Sequence, residues 1–167
     1  MSNDLLDVRQ SLLDDINAQQ GLSLTKTDVT WDAPILVNPS IIDMTSSQRN
    51  SRLGLTAIGT DLSLNINYNR LSLTKLFEYR NKIFADGGET SVHDLLAKLS
   101  IRLGGYITSA DVEDSSIDRS GEEPAFTLTA KSGSLGLFGS VTLTLSADMP
   151  EDPEPSVYLQ GLGYPYQ

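Results

Sequence analysis

The sequence predicts an α+β fold in which a unit of one helix, one extended segment and one β-hairpin occurs twice. Two segments of the chain align at a constant separation, which indicates an internal repeat. Each segment opens with an amphipathic helix pattern that stops at a glycine, and each is followed by two alternating runs typical of a hairpin. We therefore expect small antiparallel sheets packed against helices, followed by an extended C-terminal arm.

The repeat is clearest when residues 12–29, LLDDINAQQGLSLTKTDV, are aligned with residues 95–112, LLAKLSIRLGGYITSADV, at a shift of 83. Six of the 18 positions are identical, whereas chance gives about one. The identical pairs are Leu12/Leu95, Leu13/Leu96, Gly21/Gly104, Thr25/Thr108, Asp28/Asp111 and Val29/Val112. Because the matches fall on positions with a shared physical role, we interpret the two segments as copies of one unit.

The second copy begins with an amphipathic helix. Its apolar residues fall three or four positions apart and therefore share one face; they are Val92, Leu95, Leu96, Leu99 and Leu103. Ser91 is a suitable N-cap, and Asp94 completes an acidic variant of the capping box. Gly104 can adopt the left-handed conformation that ends a helix.

The first copy repeats this pattern at the start of the chain. Its apolar stripe consists of Leu5, Val8, Leu12 and Ile16, and Asp4 and Asp7 fall in the favourable first turn. Gly21 stands at the helix end, as Gly104 does in the second copy. Both helices are therefore predicted to lead into an extended segment that ends in Asp-Val.

Two predicted hairpins follow the extended segments. Residues 52–59, RLGLTAIG, resemble residues 125–133, AFTLTAKSG, at a shift of 73, so the second connection is ten residues shorter. The next runs, LSLNINY at 62–68 and SVTLTLS at 140–146, alternate apolar and polar residues. This alternation predicts hairpins with one apolar face and one polar face.

The predicted organisation is a first repeat at 1–68, a connecting segment at 69–91, a second repeat at 92–148 and an arm at 149–167. One copy of about 60 residues could hardly bury its helix and its sheet face alone, so we expect the copies to pack into one body. The connecting segment is expected to be a short helical or irregular element packed on the core; its apolar residues are Phe77, Tyr79, Ile83 and Phe84.

The C-terminal arm, MPEDPEPSVYLQGLGYPYQ, contains four of the seven prolines and three of the six tyrosines. This composition favours extended, polyproline-like backbone with aromatic side chains available for docking. It fits either a loose acidic tail or an arm docked on its own body or on a neighbour, and we expect the docked arm. The candidate partner-binding residues are Tyr158, Leu159, Leu162, Tyr164 and Tyr166 in the arm, together with Trp31, the single tryptophan.

Charge and composition argue against several classes of partner. The net charge is −10, with 12 basic and 22 acidic residues, whereas nucleic-acid binding requires clustered Lys and Arg. No apolar run reaches the roughly 18 to 20 residues of a membrane span, and the acidic N-terminus is unlike a signal peptide. The chain contains no cysteine, which excludes disulfides and thiolate chemistry. We expect a soluble protein made in the cytoplasm, with no nucleic-acid or membrane partner.

The sequence offers no catalytic, cofactor-binding or metal-binding constellation. His93 is the only histidine and falls in the first turn of the second helix, where a capping or surface role is expected. The acidic run DVEDSSID at 111–118 lacks the glycine and the terminal glutamate of a calcium-binding EF-hand loop. Nucleophile-elbow, phosphate-loop and zinc-protease motifs are absent. We therefore expect a non-enzymatic protein without cofactors or metal ions.

Three motifs resemble a family of uncharacterised structural proteins of tailed bacteriophage particles. They are YNRLSLTKLF at 68–77, SVHDLLAKLS at 91–100 and ITSADVED at 107–114, followed by a glycine-rich hairpin. The resemblance covers about residues 50–147 and implies a virion component made in the host cytoplasm. It implies no catalytic or ligand-binding residues.

The resemblance implies a structural subunit of the tail, baseplate or neck that contacts other virion proteins and copies of itself as a homo-oligomer. Capsid decoration is a second possibility. A carbohydrate-binding or receptor-binding module that uses Trp31 as a stacking platform is the alternative of another class. A hydrolase would require His93 or an acidic pair to line a pocket.

Overall fold

The computed structural model describes residues 8–42, 48–104 and 107–149. It confirms the α+β class, with few helices and several small sheets. The predicted arm, apart from Met149, lies outside the described residues, as do Asp4, Leu5 and Asp7.

The first unit contains one helix and a four-stranded sheet. Its elements are α1 (Val8–Gln20), β1 (Val29–Trp31), β2 (Ile35–Leu36), β3 (Ser51–Ala57) and β4 (Ser63–Tyr68). Both β1 and β2 pair antiparallel with one edge of β3, and β4 pairs antiparallel with the other edge. Leu13 and Ile16 of α1 form a buried cluster with Val29 and Leu55, because these residues fall on the apolar faces of helix and sheet.

The second unit contains two small sheets. Its elements are β5 (Leu71–Ser72), α2 (Leu73–Leu76), β6 (Ile83–Ala85), a 3₁₀ turn (His93–Leu95), α3 (Leu96–Leu103), β7 (Ala125–Thr129), β8 (Leu137–Phe138) and β9 (Ser140–Ser146). In the larger sheet β9 is central, with β7 antiparallel on one side and β6 parallel on the other. In the smaller sheet β5 and β8 are parallel. The two predicted hairpins are antiparallel, whereas the parallel pairings both involve strands of the connecting segment, which the sequence pattern did not predict.

The repeated positions make the same hydrogen bonds in both units. Gly21 and Gly104 have φ angles of 66° and 64° at the helix ends. The carboxylate of Asp28 accepts hydrogen bonds from the backbone and hydroxyl of Thr25, and Asp111 does the same with Thr108. The aligned positions therefore occupy equivalent places, while an origin by duplication stays a prediction.

The start of the second helix differs from the predicted capping box. The Asp94 carboxylate accepts hydrogen bonds from the backbone N–H groups of Thr90 and Ser91, as such a box requires. The Ser91 side chain instead interacts with Asp114, and the first turn is a 3₁₀ turn. Asp94 therefore carries the capping interaction without the Ser91 hydroxyl.

The connecting segment contributes directly to the core. Phe77 and Phe84 are fully buried in the large hydrophobic cluster of the second unit, as predicted. The prediction was wrong for Tyr79, which is 88% exposed, and for Ile83, which is 38% exposed. Tyr79 follows the end of α2, where the chain turns outward, and the Lys75 ammonium lies 5.6 Å from its ring centroid.

Two basic side chains of α3 hold β6 in place. Lys98 Nζ donates to the Ala85 carbonyl at 2.9 Å. Arg102 Nη1 donates to the Ile83 carbonyl at 3.0 Å, and the guanidinium carbon lies 4.2 Å from the centroid of the Phe84 ring. The strand is thus fixed by charge-assisted hydrogen bonds and by cation–π contact.

The two units meet at a buried arginine. Arg70 Nε donates to the Ser51 hydroxyl at 2.9 Å, and Nη1 donates to the Ser134 carbonyl at 3.1 Å. The backbone of Arg70 is also bonded to the side chain of Asn50, through its N–H at 2.9 Å and its carbonyl at 2.9 Å. Arg70 therefore links the first sheet to the hairpin turn of the second unit.

Replacing this link should destabilise the whole chain. We expect Arg70→Met to lower the free energy of unfolding by about 2 kcal/mol, because buried carbonyls lose a charged donor. Urea denaturation measures the effect. The control Arg52→Met removes an exposed side chain and should change stability by less than about 0.5 kcal/mol; equal effects of the two substitutions would contradict the assigned role of Arg70.

The ion pair next to β6 should make stability depend on pH. Bidentate hydrogen bonds from Arg119, at 2.9 and 2.7 Å, lower the pKa of Asp86 to about 2. Because this folded-state pKa lies below the ordinary value of 3.8, the stabilisation is complete above pH 3.8 and is lost as pH falls through about 2.

Acidification should lower the urea concentration at the unfolding midpoint. This decrease should be smaller in Asp86→Asn than in the unsubstituted chain, because Asp86→Asn lacks the titrating carboxylate. Asp61→Asn, in the exposed turn between β3 and β4, is the control and should keep the full loss. An acid-side loss that is the same in Asp86→Asn as in the unsubstituted chain would show that the Asp86–Arg119 pair contributes nothing measurable.

Candidate functional site

A groove of about 590 Å³ lies between α1 and β4 in the first unit. The helix contributes Leu12, Asp15, Ile16, Gln19 and Gln20, the strand and its continuation contribute Leu64 to Asn69, and Arg49 completes the lining. The lining alternates apolar and amide side chains because it combines the exposed shoulder of an amphipathic helix with the edge of a sheet. The groove can therefore offer apolar contact and hydrogen bonds to the same ligand.

The outer edge of β4 presents backbone hydrogen-bonding groups to this groove. Ala57 N–H donates to the Leu62 carbonyl at 2.9 Å, which sets the register of the hairpin. Since antiparallel hydrogen bonds alternate every second residue, the backbone groups of Asn65 and Asn67 point away from β3. Within the described parts of the chain, no strand pairs with this edge. An open edge of this kind can accept an added strand.

The apolar face beside the open edge is incompletely covered. Leu64 and Ile66 of β4 are half-buried, although they pack against the α1 cluster. The corresponding residues of β9, Val141 and Leu143, are buried. The first unit thus leaves apolar surface accessible at the position where the second unit is closed.

Tyr68 places a buried hydroxyl without a partner at the same groove. Its side chain is only 7% exposed, and among the described residues its hydroxyl oxygen has no hydrogen-bond partner. Burial raises the pKa of Tyr68, and the nearby charge of Arg70 opposes this shift. The buried hydroxyl is a cost to the folded chain that a hydrogen-bond partner would relieve.

Trp31 belongs to the core of the first unit. It lies opposite Leu55 in the β1–β3 ladder and packs against two hydrophobic clusters, which include Leu13 and Leu53. The half-buried ring is therefore a packing element, while its assignment as a partner-binding residue stays a prediction. The other predicted partner-binding residues, Tyr158, Leu159, Leu162, Tyr164 and Tyr166, lie outside the described residues.

His93 and the acidic run 111–118 are occupied by local contacts. The backbone N–H of His93 donates to Asp114 at 3.0 Å, which is the main reason why the pKa of Asp114 is lowered. Asp111 accepts from Thr108, and Asp118 accepts from Ser120. Across residues 8–42, 48–104 and 107–149, no three potential metal ligands cluster together. The contacts of this run are those of a hydrogen-bonded turn.

The sequence reasoning missed the groove and Tyr68. The signal that could have found the groove was a difference between the two units, since Asn65 and Asn67 of β4 stand where β9, which pairs with β6, has Thr142 and Thr144. The strand that covers β9 is only three residues long and lies in the connecting segment. The described part of the first unit has no such strand, and this difference can be recognised only once β6 is known.

Removing the unpaired hydroxyl should not harm the isolated chain. We expect Tyr68→Phe to raise the free energy of unfolding by about 1 kcal/mol, because a buried hydroxyl without a partner is unfavourable. Urea denaturation of the full chain at low concentration measures the change. Tyr79→Phe, at an 88% exposed position, is the control and should be nearly neutral; a clear loss of stability in Tyr68→Phe would show that the hydroxyl is already bonded.

Comparison with known proteins shows the family but gives no function. Within the described residues, the helices are too short or too polar to pass through a membrane. No curated protein and no solved structure matches the chain. The sequence model of a family of unknown function, DUF7941, matches residues 1–166, and the chain belongs to this family.

Proposed function

We propose that the protein is a non-enzymatic structural subunit of a tailed-phage particle, located in the tail, baseplate or neck. It works through contacts with copies of itself and with other virion proteins. The observation that carries this proposal is the open edge of β4 beside an apolar groove. A sheet edge with unpaired amides and accessible leucine and isoleucine side chains is suited to protein–protein contact.

The chemistry of the described residues supports a binding role over a catalytic one. His93, the only histidine in the sequence, is engaged by Asp114 and by the Val112 carbonyl. Three acids of the run 111–118 accept hydrogen bonds from residues of the same chain: Asp111 from Thr108, Asp114 from His93 and Asp118 from Ser120. The groove is lined mainly by apolar and amide side chains, with one acidic residue, Asp15 on α1, and one basic residue, Arg49 before β3. This composition favours the binding of a strand or peptide.

Two alternatives differ in what they require of the surface. Capsid decoration uses the same protein–protein contacts and differs only in location. A carbohydrate-binding or receptor-binding module needs exposed aromatic rings that converge on one site. Since Trp31 packs in the core of the first unit, the structure gives less support to that alternative than to a structural subunit.

Deletion of residues 150–167 tests both the role and the proposed arm. The truncated chain should remain folded, because the described core lies within residues 8–149, but it should fail to enter phage particles. Quantitative mass spectrometry of purified particles, with circular dichroism of the recombinant chains, measures both properties. Absence of the full chain from particles would refute the structural role, whereas normal incorporation of the truncated chain would refute the role of the arm.

A further inference from the structure

The second unit shows how the outer edge of such a hairpin is covered. There β6 lies parallel to β9, with Ile83 opposite Thr144 and Phe84 opposite Leu145. Thr144 N–H donates to the Lys82 carbonyl at 3.0 Å, and Asp86 N–H donates to the Ser146 carbonyl at 3.1 Å. A short strand with a central aromatic residue is therefore enough to close this edge.

The groove of the first unit occupies the place that β6 fills in the second. The hairpins have matching registers, since Leu55 pairs with Leu64 as Leu128 pairs with Val141. At the resulting shift of 77, Asn67 corresponds to Thr144, and Tyr68 corresponds to Leu145. At the helix shift of 83, Gln19 corresponds to Arg102. Arg102 holds β6 by donating hydrogen bonds to the carbonyls of Asn81 and Ile83. The lining of the groove is thus the counterpart of the β6 binding surface.

We propose that this groove receives residues 156–160, SVYLQ, from the C-terminal arm of a second copy of the chain. The segment adds to β4 as a parallel strand, as β6 adds to β9. The outward N–H of Asn67 and the carbonyl of Asn69 take the roles that Thr144 and Ser146 have in the second unit. In this register Tyr158 lies opposite Tyr68, whose buried hydroxyl lacks a partner among the described residues. The contact rests on the proposed role as a self-assembling subunit.

The choice of residues 156–160 follows from the parts of the chain outside the described residues. These parts are 1–7, which lead into α1, the short gaps 43–47 and 105–106, and the arm from 150 onward. In the arm, prolines at 150, 153 and 155 remove backbone donors, and the next proline is at 165. The first β-forming run after these prolines is Val157, Tyr158 and Leu159, which matches the pattern of Ile83, Phe84 and Ala85 in β6.

The path of β9 favours the groove of a second copy. Ser140, at the start of β9, accepts a hydrogen bond from Thr74 close to the link between the units. The seven residues of β9 then carry the chain about 20 Å away from that link. From Met149 to Val157 the proline-rich arm spans about 25 Å at most in extended form, little more than the length of β9. A return to the groove of its own copy would use most of this length, and we therefore assign the arm to the groove of a second copy.

Full-length variants separate the groove from the arm. Asn67→Pro removes a backbone N–H that points away from β3, so the hydrogen bonds between β3 and β4 are kept. Gln19→Trp places a large side chain in the groove from an exposed helix position. Tyr158→Ala removes the central aromatic residue of the arm, and Tyr166→Ala is its matched control. Native mass spectrometry and sedimentation should show that each of the first three substitutions weakens self-association at least about 30-fold. Tyr166→Ala should change self-association by less than about 3-fold.

A mixture of Asn67→Pro and Tyr158→Ala tests exchange between copies. The first variant keeps an intact arm and the second keeps an intact groove, so the mixture should form heterodimers and nothing larger. Monomers in every sample, including the unsubstituted chain, would overturn the proposal. The unsubstituted chain could instead be monomeric, with β4 amides that are protected from hydrogen exchange and lose this protection in Tyr158→Ala. That result would place the arm in the groove of its own copy and would overturn the proposed exchange of arms between copies.

The remaining outcomes distinguish this inference from the proposed function. Self-association that requires residues 150–167 but tolerates Asn67→Pro and Gln19→Trp would overturn the groove as the docking site and leave a structural role standing. Self-association that shows the expected pattern, in a chain absent from phage particles, would support the groove and refute the virion role. Circular dichroism of each variant verifies that the fold is retained.

Discussion

The unpaired edge of a β-sheet is the constraint on which the rest of this structure depends. Backbone N–H and C=O groups at an edge must bond to water or to another chain segment, and apolar side chains beside them favour the second solution. The second unit covers its edge with β6, held by Lys98 and Arg102. The Asp86–Arg119 and Glu89–Lys98 pairs then fix the loop that follows β6. The sequence of the connecting segment is thus largely explained by the need to close β9.

The first unit meets the same constraint differently. Asp15 and Gln19 stand at the helix positions of Lys98 and Arg102, so the two cationic groups that bind β6 carbonyls have no cationic counterpart on α1. The edge of β4 carries Asn65 and Asn67, whose amide side chains can hydrogen-bond with water. These residues are compatible with an edge that, within the described residues, pairs with no further strand and keeps its backbone groups available. The two units therefore share a framework and differ at the surface where a strand is held.

Sequence patterns predicted the parts of the fold that depend on local chemistry. The helix-ending glycines, the Thr-Asp turns and the alternating hairpin strands each rest on residues close together in the chain, such as Gly104 and Asp111. The strands β5 and β6 were missed because two or three residues give no periodic signal and their partners are more than 55 residues away. The groove was missed for the same reason, since it is defined by the absence of a pairing strand among the described residues. The neighbours of Trp31 in the core could not be predicted, because its packing depends on long-range contacts.

Charge limits how copies of such a protein can meet. Each chain carries a formal charge of −10, so copies repel one another at long range, and this repulsion is screened beyond about 8 Å at physiological salt. Attraction must therefore arise at short range, from strand hydrogen bonds and from burial of Leu64, Ile66 and the arm's aromatic residues. In the proposed exchange each copy gives one arm and receives one, and the arm and the groove are different surfaces of the chain. Such a contact closes into a two-fold dimer or a larger ring, or continues as a filament, according to the rotation between neighbours. The hydrogen bonds of Arg70 bear on that rotation because they join the two units.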